Sequence, residues 1–176
     1  MRSVPYKYYF RWVTSAYSSK AIVFLGDLID EGSEAGKDVY HEYATRFLQI
    51  YPPVTYLQTI YIPGDNDIGG EGADIVTLEK INRFQEMFGP NKPVYRVSSY
   101  LDLAPVSRLT QHGVYNLTFK QEHLSNTRLV VAVSHLPVLP LDGRFAEQVM
   151  ELVRPNAIFS AHNHHGFHYS LDRNTF

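Results

Sequence analysis

The chain has no cysteine. That excludes disulfides and thiolate metal sites, and it leaves the redox compartment unread. It also has no excess of either charge: 16 lysines and arginines against 18 aspartates and glutamates give a net charge of -2. There is thus no basic stripe to follow a nucleic-acid backbone, and polyanion binding is disfavoured as the main activity. No apolar run approaches the roughly 18 residues that span a bilayer, and the opening residues lack the long apolar core of a signal peptide. As written, the chain is expected to be soluble. What remains is globular in composition, 44% hydrophobic and 19% charged over 176 residues. This is enough for one domain with a sizeable core, residues 1–176, and too little for two of ordinary size.

The organising stretch is AIVFLGDLIDEG, Ala21 to Gly32. Five apolar residues stopped by Gly-Asp read as a short buried strand that delivers Asp27 to its carboxyl end, where ligands bind in open α/β sheets. Alone, Gly-Asp would be an ordinary turn after a core strand. Three later segments repeat the build, an apolar run followed at once by metal-capable side chains: TIYIPGDND at 59–67, RLVVAVSH at 128–135 and NAIFSAHNHH at 156–165.

Between these strands the spacing predicts helices. Tyr6, Tyr9, Phe10, Val13 and Tyr17 recur at helical intervals across Pro5–Ser19, as a helix lying on a sheet. Val39, Tyr43, Phe47 and Ile50 do so before a stop at Pro52-Pro53. A second strand covers Tyr56–Ile62, and the loop Pro63–Ala73 reads as too polar for the core. Asp74 is placed to cap a third helix with a buried stripe of Ile75, Leu78, Ile81, Met87 and Phe88. Short strands are expected around Val94–Val97 and Tyr100–Leu103, and Pro105–Asn126 carries little pattern. A buried strand at Arg128–Ser134, a helix built on Phe145, Val149, Leu152 and Val153, a buried strand at Asn156–Ser160 and a further strand beginning within Gly166–Leu171 complete the reading. Strands alternating with helices at this spacing imply an α/β layered fold with a partly parallel sheet.

The five residues Asp27, Asp65, His135, His162 and His164 offer mixed nitrogen and oxygen ligands, which suit Mn, Fe or Zn better than Mg or Ca. One histidine on an apolar face is more often structural. Alternating histidines just past a strand are not, and on a strand His162 and His164 would share a face. His165 and His168 are left as outer groups or surface residues. The sequon Asn116-Leu117-Thr118 would suit a secretory-pathway lumen.

GD at 26–27, GDND at 64–67, SH at 134–135 and AHNH at 161–164 resemble, in order and strand context, the GD, GNHD, H and GHxH motifs of calcineurin-like metallophosphoesterases. The resemblance runs from about Ala21 to His164. The longer strings GDLIDEG and PGDNDIGGEG are similar to the membrane phosphoesterases of the Cdc1 and Ted1 type that remodel GPI anchors in the endoplasmic reticulum and Golgi. The resemblance implies a calcineurin-like sheet sandwich flanked by helices, with two divalent metals (Mn, Fe or Zn) over the strand ends. Asp27 would bridge the metals, Asp65, His135 and His162 would bind one of them and His164 the other. Two adjacent cations lower the pKa of a shared water from about 15.7 toward neutrality and clamp the attacking and leaving oxygens. The implied reaction is hydrolysis of a phosphate mono- or diester by metal-bound hydroxide, with Asn66 and Asp67 at catalytic positions. The implied substrate is the ethanolamine phosphate of a GPI glycan, in the lumen of the early secretory pathway, with membrane attachment only through segments outside this chain.

Three departures accompany the resemblance. No Asp-x-His motif precedes Gly26, which predicts a domain incomplete at the N-terminus and, since the family continues past this point, at the C-terminus. Asn66 stands where the family has a histidine, and asparagine cannot deliver a proton near neutral pH. Ala161 replaces the glycine of GHxH. Asn66 and the missing motif favour a rival reading, a non-catalytic binding module on the same scaffold. A purely structural domain would leave the histidines at the strand ends without a purpose.

Overall fold

The structure, a computed structural model, describes residues 4–107, 109, 127–139, 143–168 and 170. The elements in chain order are α1 (Val4–Ala16), β1 (Ala21–Leu25), α2 (Lys37–Ile50), β2 (Gln58–Ile62), α3 (Asp65–Ile68), α4 (Leu78–Phe88), β3 (Tyr95–Arg96), β4 (Leu101–Pro105), β5 (Leu129–Ser134), α5 (Arg144–Gln148) and β6 (Ala157–Ser160). α5 continues as a wider π-helical turn over Val149–Val153 and ends at Arg154 in the left-handed conformation.

β1 and β2 pair in parallel, from Ala21 opposite Gln58 to Leu25 opposite Ile62. The second sheet has the order β3-β4-β5-β6, with β3 antiparallel to β4 and the remaining pairs parallel. Strand side chains alternate between faces, and this alternation assigns each residue its layer. Val23, Leu25, Ile60 and Ile62 meet Leu103, Val131 and Val133 to form the core between the sheets. On the outer face of the first sheet, Phe24 and Tyr61 stack at 5.2 Å beneath the aromatic residues of α2 and α4. On the outer face of the second, Ala104, Val130 and Ala132 pack on Phe145, Val149 and Val153. The result is helix, sheet, sheet, helix: the expected layered sandwich flanked by helices.

Several local expectations are corrected. α2 is rotated from the predicted stripe: Tyr40 and Ala44 are buried while Val39 and Tyr43 are exposed. The guanidinium of Arg83, 4.6 Å over the Tyr40 ring, covers the position that decides the helix face. Thr77, not Asp74, caps α4 by accepting from the Lys80 N–H. Asp74 pairs instead with the Lys80 ammonium, and Ile75 and Leu78 face solvent while Phe84 and Phe88 enter the core. α1 packs through Phe10, against Phe24 and Tyr51, while Tyr6, Tyr9 and Tyr17 are exposed. The strands β1 and β6, expected to be buried, are half-buried and largely exposed respectively; β6 is the last strand of its sheet and β1 belongs to a sheet of only two strands. The segment 63–73 is not simply a polar loop: Asp65, Asp67 and Ile68 are buried within α3. Residues 166–168 and 170 form no strand. The sequon at 116–118 and the rest of 110–126 lie outside the described residues, and among the described residues no helix is long and apolar enough to cross a membrane.

Candidate metal centre

Four strands end at one place. β1 stops at Leu25 and is followed by Gly26 (φ +89°) and Asp27 (φ +51°), so the chain leaves the sheet through two consecutive left-handed residues. Aspartate tolerates that conformation better than bulkier residues, and the turn is closely packed. A Cβ on Gly26 would lie 2.4 Å from His135 Nδ1, and one on Gly64 would lie 2.1 Å from Asp27 Oδ1. The two glycines therefore let the ends of β1, β2 and β5 approach within side-chain reach of one another.

Asp65 opens the four-residue helix α3 directly after β2. Its carboxylate is buried, 7% exposed. Two residues on, Asp67 is fully buried and takes a different part: its carboxylate accepts from the backbone N–H groups of Gly64 (2.8 Å), Leu28 (3.0 Å) and Ile29 (3.0 Å). It ties the turn after β1 to the turn after β2. Burial pushes its carboxyl up to about 6, the three N–H donors oppose that rise, and the charge of Asp27 adds to it. Between the two aspartates, Asn66 uses its backbone twice, donating to Asp27 Oδ1 at 3.2 Å and accepting from the Ser33 N–H at 2.6 Å. Its side chain borders an acidic cleft of about 350 Å³ that also takes in Asp30, Glu31, Glu34 and Glu71.

From the second sheet come the imidazoles. His135, just past β5 and 3% exposed, donates from Nδ1 to the Leu25 carbonyl at 2.6 Å. This bond sets the tautomer of the neutral ring and leaves Nε2 facing Asp65 Oδ1 at 2.9 Å and Asp27 Oδ1 at 3.3 Å. Burial alone would lower its pKa, but the close contact with Asp27, the hydrogen bond to Leu25 and the two carboxylate charges outweigh burial and raise it to about 9. Asp27 is held below its ordinary value, since the partnership with His135 and the Asn66 N–H overcome its own burial. His162 turns Nδ1 to Asp65 Oδ1 at 3.2 Å and Nε2 to Glu71 Oε1 at 3.6 Å.

The residues Asp27, Asp65, His135 and His162 each present one ligand atom, all within 4.8 Å of one another. That spread is close to what ion–ligand distances of about 2.0–2.2 Å require. Asp65 Oδ1 and His135 Nε2 are buried and have no aligned hydrogen-bond partner. Two such atoms would be costly without a shared acceptor of their lone pairs, and a divalent cation supplies one. The Nδ1 bond of His135 to a backbone carbonyl is the outer contact that metal-binding histidines commonly make. The donor set fits a metal.

His164 is exposed and contributes no atom to this group. β6 ends at Ser160, and His162 (φ +68°) and His164 (φ +53°) both adopt left-handed backbone. The strand alternation expected to place them on one face does not extend to them. His165 and His168 are likewise exposed. Two contributors escaped the sequence reading. Glu71 reaches His162 from a glycine-rich turn, and Arg83 of α4 holds the loop after Asp27 by donating to the carbonyls of Ser33 and Ala35. Arg83 falls outside every motif, and Glu71 lies within the string PGDNDIGGEG, where only the polarity of the turn hints at a role.

A comparison with curated proteins finds no match. The calcineurin-like phosphoesterase family model matches residues 6–166, a span that takes in both sheets and all four converging side chains. By that match and this geometry, the chain belongs to the calcineurin-like phosphoesterases and is a metal-dependent phosphoesterase.

Proposed function

We propose that this domain hydrolyses a phosphate mono- or diester at one tightly held divalent cation, with Asp27, Asp65, His135 and His162 as its ligands. The convergence of two carboxylates and two imidazoles, with two of their atoms buried and otherwise unpartnered, is the observation that carries the reading. The bound cation supplies Lewis acidity, which makes water nucleophilic near neutral pH and offsets charge on the phosphoryl oxygens. The chain's own residues hold and orient. Asp67 fixes the two turns that carry Asp27 and Asp65, so its part is to keep the carboxylates in register. Asn66, which lines the acidic cleft, would donate a hydrogen bond to the leaving group rather than a proton. His164 serves a second, weaker metal position shared with Asp27.

The finer reading is that the substrate is the ethanolamine phosphate of a GPI glycan, in the early secretory pathway, with manganese as one metal that the donor set suits. It is supported by the strings GDLIDEG and PGDNDIGGEG and by the carboxylates of the cleft beside Asn66, which suit a cationic substrate group. With asparagine in place of an acid, an activated aryl phosphate should be hydrolysed much faster than an alkyl phosphate. Asn66→His should then raise the alkyl rate, by up to about 10² to 10⁴. Elemental analysis of dialysed protein should find one ion per chain. A protein that holds one ion yet hydrolyses neither ester would favour the binding-module reading. Loss of all activity in Asn66→His with metal content intact would remove the leaving-group account.

A further inference from the structure

Glu71 is exposed on the surface, yet one of its carboxylate oxygens lies 3.6 Å from His162 Nε2. An exposed glutamate in a glycine-rich turn ordinarily has no fixed partner, because ordering its side chain costs more than a solvated contact returns. Here the turn itself is fixed. The Gly70 N–H donates to the Asp74 carbonyl at 2.7 Å and the Asp74 N–H to the Glu71 carbonyl at 3.1 Å. Asp74 is in turn paired with Lys80 of α4. Gly69 (φ +82°) packs so closely that a Cβ would stand 2.9 Å from Asp74 Oδ2. Glu71 is thus presented from a closed frame anchored to a helix.

The two histidines of the centre are oriented in opposite senses. His135 gives Nδ1 to a backbone carbonyl and turns Nε2 inward, whereas His162 turns Nδ1 to Asp65 and Nε2 outward to Glu71. A neutral histidine that ligates through Nδ1 carries its hydrogen on Nε2, and a carboxylate there fixes the tautomer, holds the ring plane and raises ligand basicity. His162 belongs to a segment with left-handed backbone and is less enclosed than His135. It therefore depends more on an external contact for its orientation. We propose that Glu71 is the positioning residue for His162, selecting the tautomer that turns Nδ1 to the metal centre. The inference rests on the reading of Asp27, Asp65, His135 and His162 as metal ligands.

The test is titration of the chelator-stripped full chain with Zn²⁺ against a competing indicator, for wild type, Glu71→Gln, Glu71→Ala, His162→Ala and the double variant Glu71→Ala/His162→Ala. Glu71→Ala should weaken Zn²⁺ binding about tenfold, and Glu71→Gln, which keeps an acceptor oxygen, should weaken it less. The melting temperature of the stripped protein should not move in either variant. In the His162→Ala background, removing Glu71 should change the affinity by less than twofold. Wild-type affinity in Glu71→Ala would overturn the proposal. An equal loss with and without His162 would overturn it too, since Glu71 would then act only as a distant charge. If the wild-type chain binds no Zn²⁺ while its stripped form is folded, the metal reading itself fails, an outcome distinct from both.

Discussion

Gly64→Ala isolates the steric condition on which the centre depends. Gly64 has φ -97°, a conformation open to any residue, so alanine adds no backbone strain and the effect is that of one methyl group. That methyl would stand 2.1 Å from Asp27 Oδ1 and 2.4 Å from the Asp27 backbone nitrogen. An ordinary contact begins near 3.4 Å, so the Asp27 carboxylate and the turn bearing it must retreat by more than 1 Å, the difference between those distances. Metal–ligand bonds tolerate displacements of only about 0.2 Å, and a retreat of this size removes Asp27 from the group. Overpacking of this kind also costs about 1–3 kcal/mol of stability. The expected result is a folded protein with a lowered melting temperature and at least a tenfold loss of metal affinity. Gly36→Ala is the control: a Cβ there meets nothing within 4 Å, and as the N-cap of α2 it should cost up to about 1 kcal/mol of stability with no change in metal affinity. Metal content and thermal unfolding of the two variants, measured side by side, decide the matter. Wild-type metal affinity in Gly64→Ala would refute the claim that the carboxyl ends of β1 and β2 must touch to build the centre.

Two predictions concern pH. His135 in the metal-free protein holds its proton up to about 9, and that proton must leave before Nε2 can ligate, so metal affinity should rise about tenfold per pH unit between pH 7 and 8.5. Competition with a chelator at the two pH values measures it, and a flat profile would show that His135 is not a ligand. Asp67 has a folded-state pKa of about 6 against an ordinary 3.8, so its contribution to stability is fully present below about pH 4 and is lost as pH rises through 6. Stripped wild-type protein should therefore lose about 1.4 kcal/mol relative to Asp67→Asn between pH 5 and 7.5, as read by urea unfolding; parallel profiles would mean that Asp67 is fully ionised throughout.

The parts of the molecule that follow from local pattern were legible in the sequence. Runs such as AIVFL and LVVAVS, cut off by Gly-Asp or Ser-His, gave the strands, their parallel arrangement and the four side chains that converge. The helix faces were not, because a face is chosen by what packs against it: Tyr40 is buried beneath Arg83, which lies 43 positions later in the chain and carries no apolar signal. His162 and His164 were expected to follow strand alternation, but the backbone turns left-handed just past β6, and no side-chain pattern encodes that reversal for histidine. The role of Asp67 was hidden for a related reason. Its three partners are backbone N–H groups, which have no letter in the sequence.

The proposed ligands divide evenly between the sheets. Asp27 and Asp65 leave β1 and β2, while His135 and His162 leave β5 and β6. Neither sheet alone supplies more than two of these four, so an ion can be held firmly by them only once the halves of the sandwich have met. It then behaves as a clasp on one rim of the fold, favouring the closed arrangement over any in which the halves have slid or parted. At a free concentration one hundred times its dissociation constant it adds about 2.7 kcal/mol to that closure. Beyond its reach, the two halves are left to the apolar contacts of the core between them, among them Val23, Ile60, Leu103 and Val131.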